Sequence, residues 1–348
     1  MLYKVSVIRR IKHASTATCT LPIYMGFLMT EPNSISCTQL AETYNISHDS
    51  VNRFLEREDY TPHDLYQEAI QHIDNNKLIV SIDDTVLDKP YSQHMDLVSY
   101  FWSGKHHRSV KGINLITLYA TDQNGQNIPI NFRIYDKSAS KTKNDYFMDM
   151  LSEVLSWGAK IQFITGDSWY SSTGNLKTIR KYGIRFMFGI DCNRKVSPEK
   201  GQWFQLRLLP DFHQGQVVWL KDFGFVQLFK TQLKEQQRFY IVHQDEDDLL
   251  SFEGFHELHS SHWKIEQYHR VIKQVCHIEK FQVRRSKLIL NHIFAALMAY
   301  VEIQKNQFER IFENVYRWQK KLFRPIIKDF IDDFILDKNH LLPQRIYK

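Results

Sequence analysis

Cysteine is scarce in this chain of 348 residues: there are four, Cys19, Cys37, Cys192 and Cys276, and none forms a Cys-x-x-Cys pair. That spacing argues against a disulfide framework or a structural zinc site, and makes a reducing compartment the default. A long apolar run near the N-terminus is missing too. The best one near the N-terminus, Leu21–Met29, is short and begins Leu-Pro, so neither a signal peptide nor a membrane span is expected. These absences point to a cytoplasmic protein with no membrane partner. No internal repeat or low-complexity tract occurs. The formal net charge of +6 permits an anionic partner without requiring one. Sixteen histidines are present, but none has ligand spacing with a cysteine, and His256, His259 and His262 read as one polar helix face.

A hydrophobic content of 43% and an aromatic content of 14% fit a well-packed protein of two or three domains. Charge is unevenly spread. Ser261–Leu290 holds seven Lys/Arg (Lys264, Arg270, Lys273, Lys280, Arg284, Arg285, Lys287) against Glu266 and Glu279. A solvated helix face rarely shows so one-sided a balance. Within this stretch, WKIEQYHRVIK places Glu266 and Lys273 seven residues apart, so both project from about one side of a helix. Such a pair can hold a metal on the carboxylate and a phosphate on the ammonium about 10 Å further along. The plainer reading is an amphipathic helix with a Glu266–Arg270 pair at i,i+4.

Residues 1–75 read as helical. Ser36–Leu55 has the form of a helix-turn-helix: Ser36 caps a first helix with Leu40, Ala41 and Tyr44 inward, Asn45 takes a left-handed turn, and Ser47 caps a second helix that buries Val51 and Phe54 or Leu55. If this unit reads DNA, His48, Asp49, Ser50, Asn52 and Arg53 face the groove. A plain helical hairpin has the same pattern.

The character then changes. KLIVSI (Lys77–Ile82) reads as a buried strand ending in Asp83-Asp84-Thr85, followed by a loop over Asp88–Gly104. Gly112–Ala120 and Ile128–Tyr135 flank an Asn-Gly turn and read as an antiparallel hairpin. Asn144–Trp157 has helical spacing, Lys160–Thr165 is a strand ending in Gly166-Asp167-Ser168, Leu176–Tyr182 a helix and Arg185–Gly189 a strand. Gly215–Leu220, Phe223–Lys230 and Gln237–Val242 look like an inserted sheet, and helical character resumes near Phe255. The expected class is α/β with a mixed sheet. Its parts are a helical domain (1–75), a first core part (76–190), a β-rich insertion (191–250), a closing helix (251–300) and a C-terminal helical region (301–348).

Two aspartates thus end strands one and four, and a glutamate lies on a later helix. Ligands bind at the carboxyl ends of strands in such sheets. Three carboxylates gathered there repel one another unless cations neutralise them, and hard oxygen donors suit Mg²⁺ or Mn²⁺. A pair of such ions is a standard device for in-line attack on a phosphodiester. Alone, each Asp reads better as a turn residue; the ordered set is harder to explain that way.

Over about residues 77–290 that ordered set resembles the bacterial insertion-sequence transposases of the DDE type, in the branch with a Tyr-x2-Arg-x3-Glu-x6-Lys signature. Asp83-Asp84-Thr85 matches the first Asp motif, Asp167 in ITGDSWYSS the second, and Trp263, Ile265, Glu266, Tyr268, His269, Arg270 and Lys273 the third. The resemblance implies an RNase H-like fold interrupted by a β-rich insertion. It implies Asp83, Asp167 and Glu266 as catalytic metal ligands for Mg²⁺, with Mn²⁺ as substitute. Asp84 competes with Asp83, since neighbouring strand residues face opposite ways and only one reaches the site. It also implies double-stranded DNA, transposon ends and target, as partner, and a homodimer on DNA. Lys273, Arg270, Arg284 and Arg285 would contact phosphate. The branch's Tyr and Arg are His259 and His262 here; both can donate to phosphate, but neither is a fixed cation at pH 7. A catalytically silent DNA-binding derivative and a structure-selective nuclease are the rival readings. Weaker features are the basic loop Lys105-His106-His107-Arg108 with Lys111, the trio Lys137, Lys141 and Lys143, and Trp219, for which core packing is expected over stacking on a base.

Overall fold

The structure is a computed structural model and describes residues 18–31, 35–104, 106–199, 201–233, 236–243 and 249–341. Lys105 and the first part of the expected N-terminal domain lie outside them. Eleven strands in these residues form one sheet: β1 (Leu78–Asp88), β2 (Ser99–Ser103), β3 (Arg108–Thr121), β4 (Asn127–Tyr135), β5 (Ile161–Gly166), β6 (Arg185–Ile190), β7 (Lys195–Ser197), β8 (Phe204–Gln205), β9 (Gln216–Leu220), β10 (Gly224–Leu233) and β11 (Gln236–His243). The central order is β4-β3-β1-β5-β6. β3 is antiparallel to both β1 and β4, while β1, β5 and β6 are parallel. This mixed order is that of the RNase H-like expectation.

Helices cover the sheet: α1 (Leu21–Thr30), α2 (Cys37–Tyr44), α3 (His48–Arg57), α4 (Pro62–Ala69), α5 (Lys143–Ser156), α6 (Thr173–Lys181), α7 (Phe252–Gln274), α8 (Ser286–Phe308) and α9 (Val315–Leu341). α7 packs on β1, α5 on β3 and β4, α6 on β6, and α4 and α8 on β4. Local chemistry explains the boundaries. Thr142 and Asp145 form a capping box that starts α5, and Thr61 and Asp64 do the same for α4 after Thr61-Pro62. The β3–β4 hairpin turns because Asp122 Oδ1 accepts from the N–H of Asn124 and of Gln126, both at 2.9 Å, and Gly125 takes φ +79°.

Four expectations change. β1 does not stop at Ile82; it continues through Asp83 and Asp84 to Asp88, because β3 pairs with it along that whole length. The expected loop Asp88–Gly104 contains β2, which pairs with the start of β3. The β-rich segment is not a separate sheet, since β11 pairs antiparallel with β6 and extends the core sheet outward through β10, β9, β7 and β8. Trp219, on β9, is 42% exposed and meets Phe225 edge-on, so it is not core.

The helix-turn-helix segment forms α2 and α3. Ser36 accepts from Gln39 N–H at 3.0 Å, and Asn45 takes the left-handed conformation at φ 51°. Ser47 precedes α3 without a side-chain cap bond, and Tyr44, expected inward, is exposed. Ser50, expected in the groove-facing set, is buried. Its Oγ accepts from the N–H of Thr18 at 2.7 Å and of Cys19 at 2.9 Å. The reason is helical phase: Ser50 neighbours Val51 and Phe54 on the packed face, whereas Arg53 is exposed and Asn52 half-buried.

α8 is the hub. It is long and apolar enough by composition to cross a membrane, yet it is largely buried inside the protein. Its Asn291 donates to Leu55 O at 2.7 Å and Glu58 O at 2.6 Å, and its His292 Nδ1 bonds Tyr24 Oη at 2.8 Å. One hydrophobic cluster therefore runs from Cys19 to Val315, through the N-terminal helices, the sheet and α8. A smaller one (Phe163, Met187, Phe229, Tyr240, Val242, Phe255, Leu258) packs the first half of α7 against the sheet extension.

Candidate metal centre

The alternation of side chains along β1 sorts its two aspartates. Ser81 and Asp83 share the face that looks at α7, and on β5 Thr165 shares it: Ser81 Oγ and Thr165 Oγ1 bond at 2.8 Å, and Thr165 Oγ1 bonds His262 Nδ1 of α7 at 3.2 Å. Asp84 points the other way. Its Oδ1 accepts from Tyr170 Oη at 2.9 Å, and its Oδ2 from Asn114 Nδ2 at 2.6 Å and Lys143 Nζ at 2.7 Å. Both oxygens of the alternative ligand are thus taken by protein donors.

Asp167 follows Gly166, whose strand partner is Ile82, so Asp83 and Asp167 continue two adjacent parallel strands. Gly166 allows the approach: a Cβ there would stand 2.6 Å from Phe188 and 2.7 Å from Ile82. Asp167 Oδ1 caps the 3-10 turn Ser168–Tyr170 by accepting from Trp169 N–H at 2.9 Å.

α7 supplies the third wall. Its spacing puts His262, Glu266, His269 and Lys273 on the side facing β1 and β5. Asp83, Glu266 and His269 each bring one ligand atom to within 4.8 Å of the other two. His269 is buried, and its Nδ1 lies 3.6 Å from Asp83 Oδ2. Asp167 is not within this tightest set, although its charge is felt there. Burial pushes the Asp83 carboxyl well above the usual carboxylate range, and the charges of Asp167, Glu266 and Asp84 push it further in that order. Burial and then the Asp84 charge raise Asp167 to about 6. Burial also raises Glu266, against the pull of Arg238, Arg270 and Lys273.

Acids that resist ionisation together are what a cation relieves. The donor set fits a divalent ion. Ligands about 2.1 Å from one ion stand about 3 to 4.3 Å apart, and the cluster needs little closure to reach that.

The remaining expected residues have definite places. Lys273 Nζ donates to Val86 O at 2.6 Å and lies 3.9 Å from Glu279 Oε2. Arg270 is exposed beside Glu266. His259 Nε2 bonds Tyr240 Oη at 3.0 Å, and burial lowers its pKa. Burial, and then the His259 charge, lower His262 to about 4, so neither ring is a cation at neutral pH. Both brace α7 on the sheet. Arg284 is exposed; Arg285 pairs with Glu56 of α3 at 2.7 Å, and Asn52 bonds the His48 ring at 3.2 Å. Lys143 of the weaker set is held by Asp84, and Lys141 by Asp149 at 2.5 Å. Sequence reasoning placed His269 in the third motif but gave it no role. Its spacing of three from Glu266 was the available signal.

Strand order and site together define an RNase H-like fold with a carboxylate-rich pocket. The model of the transposase DDE domain matches residues 74–301, and the chain belongs to that family, one of transposition enzymes that use divalent metal. Among solved structures, the chain is similar to piggyBac transposase in its cryo-EM synaptic complex with hairpin DNA. The TM-score is 0.51 and the identity 14%, over 99% of this chain and 81% of that one, which speaks for the fold alone. An Argonaute of Marinitoga piezophila, in complex with 5′ OH guide RNA and target DNA, matches at 11% identity over 64% of this chain and 32% of that one. Its TM-score of 0.22 is too low to bear on the fold. No curated protein matches by sequence.

Proposed function

We propose that this chain is the transposase of an insertion sequence, that it binds the element's terminal inverted repeats, and that it cleaves and transfers their strands in a cut-and-paste reaction. The observation that carries this is the meeting of Asp83 and Glu266, remote in the chain, within 4.8 Å of each other, on a wall that Asp167 continues. Asp83, Asp167 and Glu266 are the residues that would hold Mg²⁺, or Mn²⁺ in its place. Bound there, divalent ions supply the Lewis acid for attack on the phosphodiester and for departure of the leaving oxygen.

The chain's own residues do the positioning. β1 carries Asp83, and Asp167 directly follows the end of the neighbouring strand β5. His262 and His259 tie α7 to Thr165 and Tyr240, which fixes how far Glu266 stands from Asp83. Arg270, exposed beside Glu266, reaches phosphate directly; Lys273 does so in exchange for its Val86 contact. Arg284 and Arg285 extend the basic surface toward α3, where His48, Asp49, Asn52 and Arg53 are the residues left to read DNA once Ser50 is withdrawn into the core. Two ends must be paired for transfer, so the working form is a homodimer on DNA, in the cytoplasm.

Single Ala replacements of Asp83, Asp167 and Glu266 test this. Each abolishes Mg²⁺-dependent cleavage of end DNA and leaves end binding nearly intact. Full cleavage by the Asp167 or Glu266 variant refutes the assignment. Cutting that ignores the end sequence would instead indicate a structure-selective nuclease.

A further inference from the structure

The three acids account for the family's chemistry but not for the histidine between them. His269 is 6% exposed, and Nε2 has no hydrogen-bond partner. Nδ1 approaches Asp83 Oδ2 only to 3.6 Å, beyond hydrogen-bond reach. A buried ring nitrogen left without a partner, as Nε2 is, is unusual, since buried polar atoms are nearly always partnered. The ring is not merely filling space in an apolar core. It stands one helical turn from Glu266, on the same face, and offers a nitrogen within 4.8 Å of a carboxylate oxygen of both Glu266 and Asp83.

The 3.6 Å gap has a plain reading. It is long for a proton between two atoms and ordinary for two ligands on one ion, which stand about 3 Å apart when adjacent and about 4.3 Å when opposite. We propose that His269 is a direct ligand of the divalent ion, so that the centre is a mixed carboxylate–imidazole site and not one of carboxylates alone. This rests on the metal-site reading above.

The chemical consequence is selectivity. Carboxylates suit Mg²⁺ and Mn²⁺ alike, whereas imidazole favours the transition metal. The intact chain therefore prefers Mn²⁺ to Mg²⁺ by a margin that depends on residue 269, and His269→Asp, which restores an all-oxygen set, narrows that margin.

The test uses the full chain stripped of metal and titrated with Mn²⁺ alone. Electron paramagnetic resonance of bound Mn²⁺ reads nitrogen hyperfine coupling in the unaltered protein, with ¹⁵N-histidine labelling to prove its source, and so does not depend on a variant folding. His269→Gln loses the coupling and binds Mn²⁺ at least about tenfold more weakly. Absence of nitrogen coupling in the unaltered protein overturns the inference, as does binding to His269→Gln that is as tight as in the original. If those results come while Asp83→Asn and Glu266→Gln still weaken binding, the acidic site stands and only His269 drops out. If Asp83→Asn and Glu266→Gln bind Mn²⁺ as the original does, the ion is elsewhere and both readings fall.

Discussion

Adjacent residues on one strand should respond in opposite directions to the same substitution. Asp83→Asn removes a charge from a crowd of like charges; Asp84→Asn removes the acceptor of an ammonium. For Asp83, the ligand atoms of Asp83 and Glu266 lie within 4.8 Å, a repulsion of about 1 kcal/mol in bulk water and about 3.5 kcal/mol at an effective dielectric near 20. Glu266 is exposed as a residue, although its carboxyl is partly desolvated, so the lower half of that range applies. Metal-free Asp83→Asn should be more stable than the original by about 1 to 2 kcal/mol.

For Asp84, substitution breaks a half-buried pair with Lys143 and turns an amide toward the donors Tyr170 and Asn114. A loss of about 3 kcal/mol follows. The assay is urea unfolding in a chelator, compared at matched slope. The pH dependence separates the two further. Asp83 has its pKa raised in the folded state, so the native protein keeps that proton longer than the unfolded chain. Stability then falls as pH rises from the unfolded carboxylate range through the folded value, and Asp83→Asn loses Asp83's share of that slope while Asp167 and Glu266 keep theirs. Equal destabilisation by both substitutions would mean that Asp83 does not sit in a like-charged pocket.

Other outcomes follow from the packing. Gly166→Ala forces a Cβ to 2.6 Å from Phe188 and should cost about 1 to 3 kcal/mol, with cleavage falling as Asp167 shifts, as measured by unfolding and single-turnover cutting. Ser50→Ala strips the acceptor from the Thr18 and Cys19 N–H groups; it should lower stability by about 1 to 3 kcal/mol and leave end-DNA affinity of the folded protein unchanged. Arg53→Ala does the reverse: stability stays within about 0.5 kcal/mol, while DNA binding weakens and the log–log salt slope falls by about 1 in a fluorescence titration.

Much of the core was legible because it is written in periods. The apolar runs at Leu78–Ile82, Ile113–Ala120 and Ile161–Ile164 became strands, and the helical spacing of Tyr146, Phe147, Met150 and Val154 became α5. The end of β1 was not legible. Asp83 and Asp84 look like strand-breaking residues, and only pairing with β3 keeps them extended. β2 was hidden for a similar reason: Ser99–Ser103 is only five residues long, and its hydrogen bonds come from β3. Ser50 shares the helical phase of Val51 and Phe54, which local spacing could have shown; its acceptor role toward Thr18 and Cys19, more than thirty residues away, could not be read locally.

The chain alone determined the acids, their order and the helix that carries Glu266, His269 and Lys273, since each is a local matter of spacing. Three things were decided only by the tertiary structure. The strand's alternation sent Asp83 toward α7 and gave Asp84 to Lys143. The packing of α7 brought an unpartnered imidazole up to the carboxylates. The β6–β11 pairing merged the late strands into the core sheet. Each of these is a choice of face or neighbour across long sequence separation, where local propensity carries no information and burial decides.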